Sequence, residues 1–143
     1  MRNFQVIATL FLSTLCAITS QTQAQELSVV ETLKQHQHWG LIQPGIACVE
    51  QYQFKPNGEV SIQSLQERVT GTYQYIISPN DFQLPAMVIH FETDNQKPDC
   101  TGSSVNQAGT STTNFLKKGA DQKIYFCDDA LGKNCSVYLR PEH

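Results

Sequence analysis

The sequence predicts a mainly β fold: one small antiparallel up-and-down barrel, or a strongly curled sheet, of about seven to eight strands with a short N-terminal helix. Three observations lead there. Residues 46–76 read as a strand, a turn, a second strand and a third. Short apolar runs separated by turn residues then repeat that grammar along the chain, as all-β barrels and sandwiches do. Sequential hairpins favour a meander, and a sheet of this size closes around an interior that is filled by side chains or holds one ligand.

The chain opens on a secretory signal pattern over residues 1–24. Arg2 supplies a positive start, residues 4–18 an apolar run, and Thr22-Gln23-Ala24 small residues at the cleavage position. Gln5, Thr9, Ser13 and Thr14 interrupt the run, which falls short of the roughly 20 apolar residues that span a bilayer. Cleavage near Ala24 is expected to leave a periplasmic or secreted domain, residues 25–143, without stable membrane insertion. Lipid attachment at Cys16 is disfavoured by the bulk of Leu15 before it. The whole sequence has a formal charge of −3; loss of Arg2 leaves nine basic residues against thirteen acidic, a charge of −4. Nucleic acid and anionic membrane surfaces both require clustered Lys and Arg, so this balance argues against either as partner.

Residues 25–143 suffice for one compact domain and not for two. Leu27, Val30, Leu33 and Gln37 recur at helical spacing, with Glu31 and Lys34 three apart on the polar side, and predict a short amphipathic helix. Trp39-Gly40 and Leu41-Ile42 follow, and Pro44-Gly45 breaks the chain before the first expected strand. The single tryptophan, Trp39, thus stands at the entry to the sheet, where its bulk can close one end of a barrel or cover an open face.

That first strand, residues 46–55, alternates. Ile46, Cys48, Tyr52 and Phe54 share one face, and Ala47, Gln51, Gln53 and Lys55 the other. Pro56-Asn57-Gly58 turns the chain. A second strand over 59–65 points Val60 and Ile62 inward. A third over 68–77 carries Val69, Gly71, Tyr73 and Tyr75 on one face, with Gly71 marking a bulge or bend. Pro85 interrupts the fourth, whose firm part is 87–93, with Met87, Ile89 and Phe91 on one side and Val88, His90 and Glu92 on the other. Residues 94–114 are a long polar loop, expected to be mobile over 103–113; loops beyond about 12 to 15 residues are commonly functional or disordered. Three short strands, over 113–117, 123–127 and 135–140, finish the domain.

Removal of Cys16 leaves Cys48, Cys100, Cys127 and Cys135, an even count in an exported chain, which predicts disulfides. Four cysteines permit three pairings. Cys127 and Cys135 flank the polar stretch Asp-Asp-Ala-Leu-Gly-Lys-Asn between two apolar runs, so they fall on neighbouring antiparallel strands and are expected to pair, leaving Cys48 with Cys100. No close C-x-x-C pair points to zinc.

The usual chemical machinery does not appear. There is no G-x-S-x-G elbow, Walker loop or dinucleotide fingerprint, and no free thiol is expected. His36-x-His38 has ligand-like spacing, but on a helix the two diverge by about 200° and no third ligand stands nearby. Glu50 falls on the apolar face beside Cys48 and Tyr52, which puts its carboxylate either at a barrel rim or buried against a partner such as Arg68. A hydrolase using Glu50 and His90 is opposed by alternation, which sends them to opposite faces. Trp39, Tyr52, Phe54, Tyr73, Tyr75, Phe91 and Phe126 are candidates either to line a cavity or to fill the core.

His38-Trp39-Gly40, then residues 48–60 with their Tyr52-x-Phe54 and Gly58, then Gly71-Thr72-Tyr73, together resemble the opening of small bacterial lipocalin-like domains over about a third of the mature chain. In true lipocalins the glycine precedes the tryptophan. The resemblance implies a calycin-type barrel. With the residues above, it predicts an exported, non-enzymatic binding domain for a small hydrophobic ligand, with no catalytic residue, cofactor or metal. The alternative is an envelope protein-binding inhibitor or immunity factor acting on a cell-wall hydrolase. Its candidate contact loop carries Asp128, Asp129 and Lys133, where acidic charge would speed encounter with a basic enzyme.

Overall fold

The computed structural model describes residues 28–77 and 83–142; the expected signal peptide lies outside the described residues, as does Leu27 of the expected helix. Eight strands follow one short helix: α1 (Val29–Lys34), β1 (His38–Ile42), β2 (Glu50–Phe54), β3 (Glu59–Ser64), β4 (Glu67–Ile76), β5 (Ala86–Asp94), β6 (Ser111–Lys118), β7 (Ile124–Cys127) and β8 (Val137–Pro141). Each pairs antiparallel with the next, and β8 returns to β1, so the meander closes into a barrel. Among the described residues no helix is long and apolar enough to cross a membrane.

The helix is shorter than its periodicity predicts. Ser28 caps it, its Oγ accepting the Glu31 N–H at 3.2 Å, but the helix ends at Lys34, with Gln35 as its C-cap. The sheet takes over: the Gln37 carbonyl accepts the Phe54 N–H at 2.8 Å, and the His36 carbonyl accepts the Trp39 indole N–H at 3.0 Å. Val30 and Leu33 are buried, so α1 plugs one end of the barrel with the apolar face the sequence assigned to it.

β1 departs from the sequence expectation. Residues 38–42 are a strand, and residues 46–49, expected to begin the first strand, belong to the connection between β1 and β2. Gly45 turns with φ of 78°, and pairing starts only where Glu50 meets Leu41. The Glu142 carboxylate and the Val49 side chain close over Gly40 and would have to shift to admit a Cβ there. Gly71 fulfils its expected role. The β4–β5 register shifts between Thr70 and Gly71, and any Cβ on Gly71 would strike the His90 carbonyl.

Inward residues alternate around the barrel as predicted on β3, β4 and β5. Trp39, Leu33, Met87, Ile89, Leu116, Ile124 and Leu139 are all below 2 % exposed and belong to one cluster, so the centre is filled by side chains. An eight-stranded barrel has an interior of about that capacity. The two ends differ. One is capped by α1. Across the other lie the β1–β2 and β5–β6 connections, joined by Cys48–Cys100 with Cα atoms 5.4 Å apart. Cys127–Cys135 closes the β7–β8 connection as expected, at a Cα separation of 4.1 Å. These two bonds match an oxidising, extracellular or periplasmic setting.

Candidate functional site

At the helix end a cleft of about 410 Å3 opens between α1, the β2–β3 turn and the end of β4. Alternation on β2 and β4 delivers its wall: Phe54, Tyr73 and Tyr75 are inward residues that reach the barrel mouth. Phe54 and Tyr73 lie 5.1 Å apart at 72°, and Tyr73 and Tyr75 5.6 Å apart at 77°, edge-to-face contacts that hold the rings in fixed relative orientation. The β2–β3 turn forms the opposite lip. Gly58 adopts φ of 87°, the Glu59 N–H donates to Asn57 Oδ1, and Tyr73 donates its hydroxyl to the Lys55 carbonyl at 2.7 Å.

The rim is polar. The Lys34 ammonium stands 5.8 Å from the Tyr75 ring centroid and 3.2 Å from Glu31, and His36 Nε2 lies 2.9 Å from Gln122 Oε1. Burial pushes both phenols up, and for Tyr75 the neighbouring Tyr73 and Glu31 push further, so each stays neutral and keeps its O–H as a donor. A volume of this size sits within the roughly 300–1,000 Å3 typical of small-molecule pockets.

The stapled end holds a polar cavity of about 130 Å3 instead. Glu50 from β2, Glu67 from β4, and Asp99 and Gln107 from the β5–β6 connection converge there above Tyr52, Ile62, Val69 and Phe91. Gln43 donates to Glu50 at 2.6 Å and Gln107 to Glu67 at 3.0 Å, while Ser64 accepts the Cys100 N–H at 2.9 Å. Glu67 is 4 % exposed. Burial raises Glu50 above the usual carboxylate range, and Asp99 adds to the effect against hydrogen bonds from Ser64, Gln43 and Tyr52. Burial likewise raises Glu67, with repulsion from Asp94, Asp99 and Glu50 working against the Gln107 bond. Asp99 goes the other way. Burial opposes its ionised form, but the Thr101 hydroxyl and the N–H groups of Ser103, Thr101 and Gly102 outweigh that and hold it low.

The predicted aromatics therefore divide three ways. Phe54, Tyr73 and Tyr75 form the cleft, Tyr52 and Phe91 floor the carboxylate cavity, and Phe126 and Trp39 pack in the core, the Trp39 ring 5.4 Å from His36. Glu50 faces inward at the stapled end and takes amide and hydroxyl partners rather than Arg68, which is exposed and donates to the Leu65 and Glu67 carbonyls. His90 is on the outer wall, 3.0 Å from Ser111 Oγ, away from Glu50. His38 begins β1, so the His36 and His38 pair sits astride the helix–strand junction. Among the described residues no group of three or more His, Cys, Asp and Glu side chains could hold a metal ion.

In the 127–135 loop the three named residues part company. Asp129 accepts the N–H groups of Leu131, Lys133 and Asn134, which hold its carboxyl below the usual range, and so it builds the loop. Asp128 and Lys133 remain exposed beside Leu131, which is 57 % exposed. Lys117 and Leu84 anchor the loop, donating to the Gly132 and Ala130 carbonyls at 3.1 and 2.8 Å. Sequence reasoning missed Lys34, Glu67, Asp99 and Gln107. Only Glu67 had a signal, two residues before inward Val69 on the same strand. No protein-family description, curated protein or solved structure matches the chain.

Proposed function

We propose that this protein is an exported, non-enzymatic binding module that holds a small molecule with a flat apolar body in the cleft between α1 and the mouth of β4. The observation that carries this reading is the concave wall of Phe54, Tyr73 and Tyr75 in a ligand-sized opening. Rings fixed by edge-to-face contact lose little freedom when a ligand settles on them. The filled barrel centre favours this mouth over a deep interior site. Lys34 and the Tyr75 phenol supply the few polar groups that orient such a ligand, while the Tyr73 hydroxyl fixes the opposite lip.

The test uses the processed, oxidised protein and 1-anilinonaphthalene-8-sulfonate as probe. Saturable one-to-one binding that Tyr75→Ser weakens at least about tenfold, roughly 1.4 kcal/mol, supports the cleft. Saturable binding unaffected by Tyr75→Ser, or no saturable binding, refutes it.

The exposed Leu131, held out on a disulfide-closed loop that Asp129 ties together, favours a second reading: capture of a basic envelope protein by that loop. A preformed tip carrying one apolar and two charged groups suits such contact. Equal recovery of every partner from envelope extract by wild type and by Leu131→Ser/Asp128→Ala removes this reading.

A further inference from the structure

The stapled end joins buried acids to the segments that cover them. Glu67 on β4 receives the side-chain amide of Gln107, and the Gln107 backbone N–H donates to Asp94 at 2.8 Å, so one residue of the β5–β6 connection bridges two carboxylates. Glu50 on β2 is held to Gln43 of the β1–β2 connection. The Pro98 carbonyl accepts the Gln66 and Glu67 N–H groups at 3.1 and 3.2 Å, and Cys100 is bonded to both Ser64 and Cys48. Both connections thus rest on a rim whose central groups are acids.

The charged and titratable groups facing this cavity are Glu50 and Tyr52 from β2, Glu67 from β4 and Asp99 from the connection, and Asp94 at the end of β5 adds its repulsion to Glu67. The nearest cation in sequence, Arg68, turns its guanidinium to the Leu65 and Glu67 carbonyls, and Lys97 is exposed. Among the described residues no ion pair neutralises Glu50 or Glu67.

We infer that this end of the barrel is a proton-operated closure, in which proton uptake by Glu50 and Glu67 clamps the β1–β2 and β5–β6 connections onto the rim and ionisation of both loosens them. Asp99, already satisfied as an anion by its own turn, is the charge that remains in acid. A carboxyl that binds its proton more tightly when closed than when opened favours closure below its opened-state midpoint. That preference is lost as pH rises through the closed-state midpoint. Each pH unit between the two midpoints is worth about a tenfold change in the closing equilibrium. The raised positions of both glutamates give the direction: tighter in mild acid, looser at and above neutrality.

The test is amide hydrogen exchange on the oxidised mature protein at pH 5 and pH 8, corrected for intrinsic rates, with Glu50→Gln/Glu67→Gln alongside. Wild type should show residues 95–110 protected at least about tenfold more at pH 5, and the double variant should show no such difference. Equal pH dependence in the two proteins overturns the inference. Should the variant fold poorly, carboxyl carbon NMR of wild type decides instead. Midpoints for both glutamates above the usual range support the closure, and midpoints within it reject it. Probe binding at the helix-end cleft enters neither readout, so the two proposals stand or fall separately.

Discussion

Removing the Cys48–Cys100 bond by Cys48→Ala/Cys100→Ala should destabilise the domain more than removing Cys127–Cys135, and the structure sets by how much. The first bond spans 52 residues and the second 8. If a cross-link acts by limiting the unfolded chain, those spans correspond to about 4 and about 2.5 kcal/mol, a difference of about 1.5 kcal/mol from loop length alone. Urea unfolding followed by Trp39 fluorescence measures both, since that indole is fully buried in the folded state. At a slope of about 1 to 2 kcal/mol per molar urea, the larger loss lowers the midpoint by about 2 to 4 M. The Ser64 bond to the Cys100 N–H can survive the substitution, so the measured loss reports the cross-link. A smaller loss for the 52-residue bond than for the 8-residue bond would refute the reasoning, as would a loss below about 1 kcal/mol.

Gly71→Ala should cost about 1 to 3 kcal/mol by thermal or urea unfolding, because the new methyl meets the His90 backbone at the bulge and β4 and β5 must separate to admit it. Tyr73→Phe should cost about 1 kcal/mol while leaving the ring contacts with Phe54 and Tyr75 in place, which a stability measurement paired with probe binding separates. Asp99 should behave opposite to Glu50 and Glu67. Its depressed position contributes stability above the ordinary Asp range, and that contribution disappears as pH falls through its lower folded-state value. Asp99→Asn should therefore unfold at lower urea than wild type at pH 7, with the gap narrowing below about pH 4.

The barrel was legible because its signals are local. Val60 and Ile62, Val69, Tyr73 and Tyr75, and Met87, Ile89 and Phe91 alternate strictly, and each set faces inward as read. The cysteine pairing followed from the hairpin that Cys127 and Cys135 flank. Residues 38–42 failed as a strand in the sequence because Trp39, Gly40, Leu41 and Ile42 show no alternation; Gly40 faces outward yet is buried by Glu142 and Val49. The cleft was half visible. Its rings stood in alternating positions, but their meeting with Lys34 depends on where α1 packs. The acid cavity was almost invisible, since Glu50, Glu67, Asp99 and Gln107 converge only through the path of the β5–β6 connection, which carries no periodic pattern.

The seam between β1 and β8 governs how the chain reaches its final form. Every other ladder joins neighbours in sequence, whereas Trp39 pairs with Pro141 about a hundred residues away, so its loop-closure entropy is the largest of any strand pair in the sheet. Until it zips, the molecule is a ribbon with two bare edges that can as readily accept strands from another copy. Refolding at high concentration should then yield strand-exchanged dimers joined through residues 38–42 and 137–141, while dilution should return monomers.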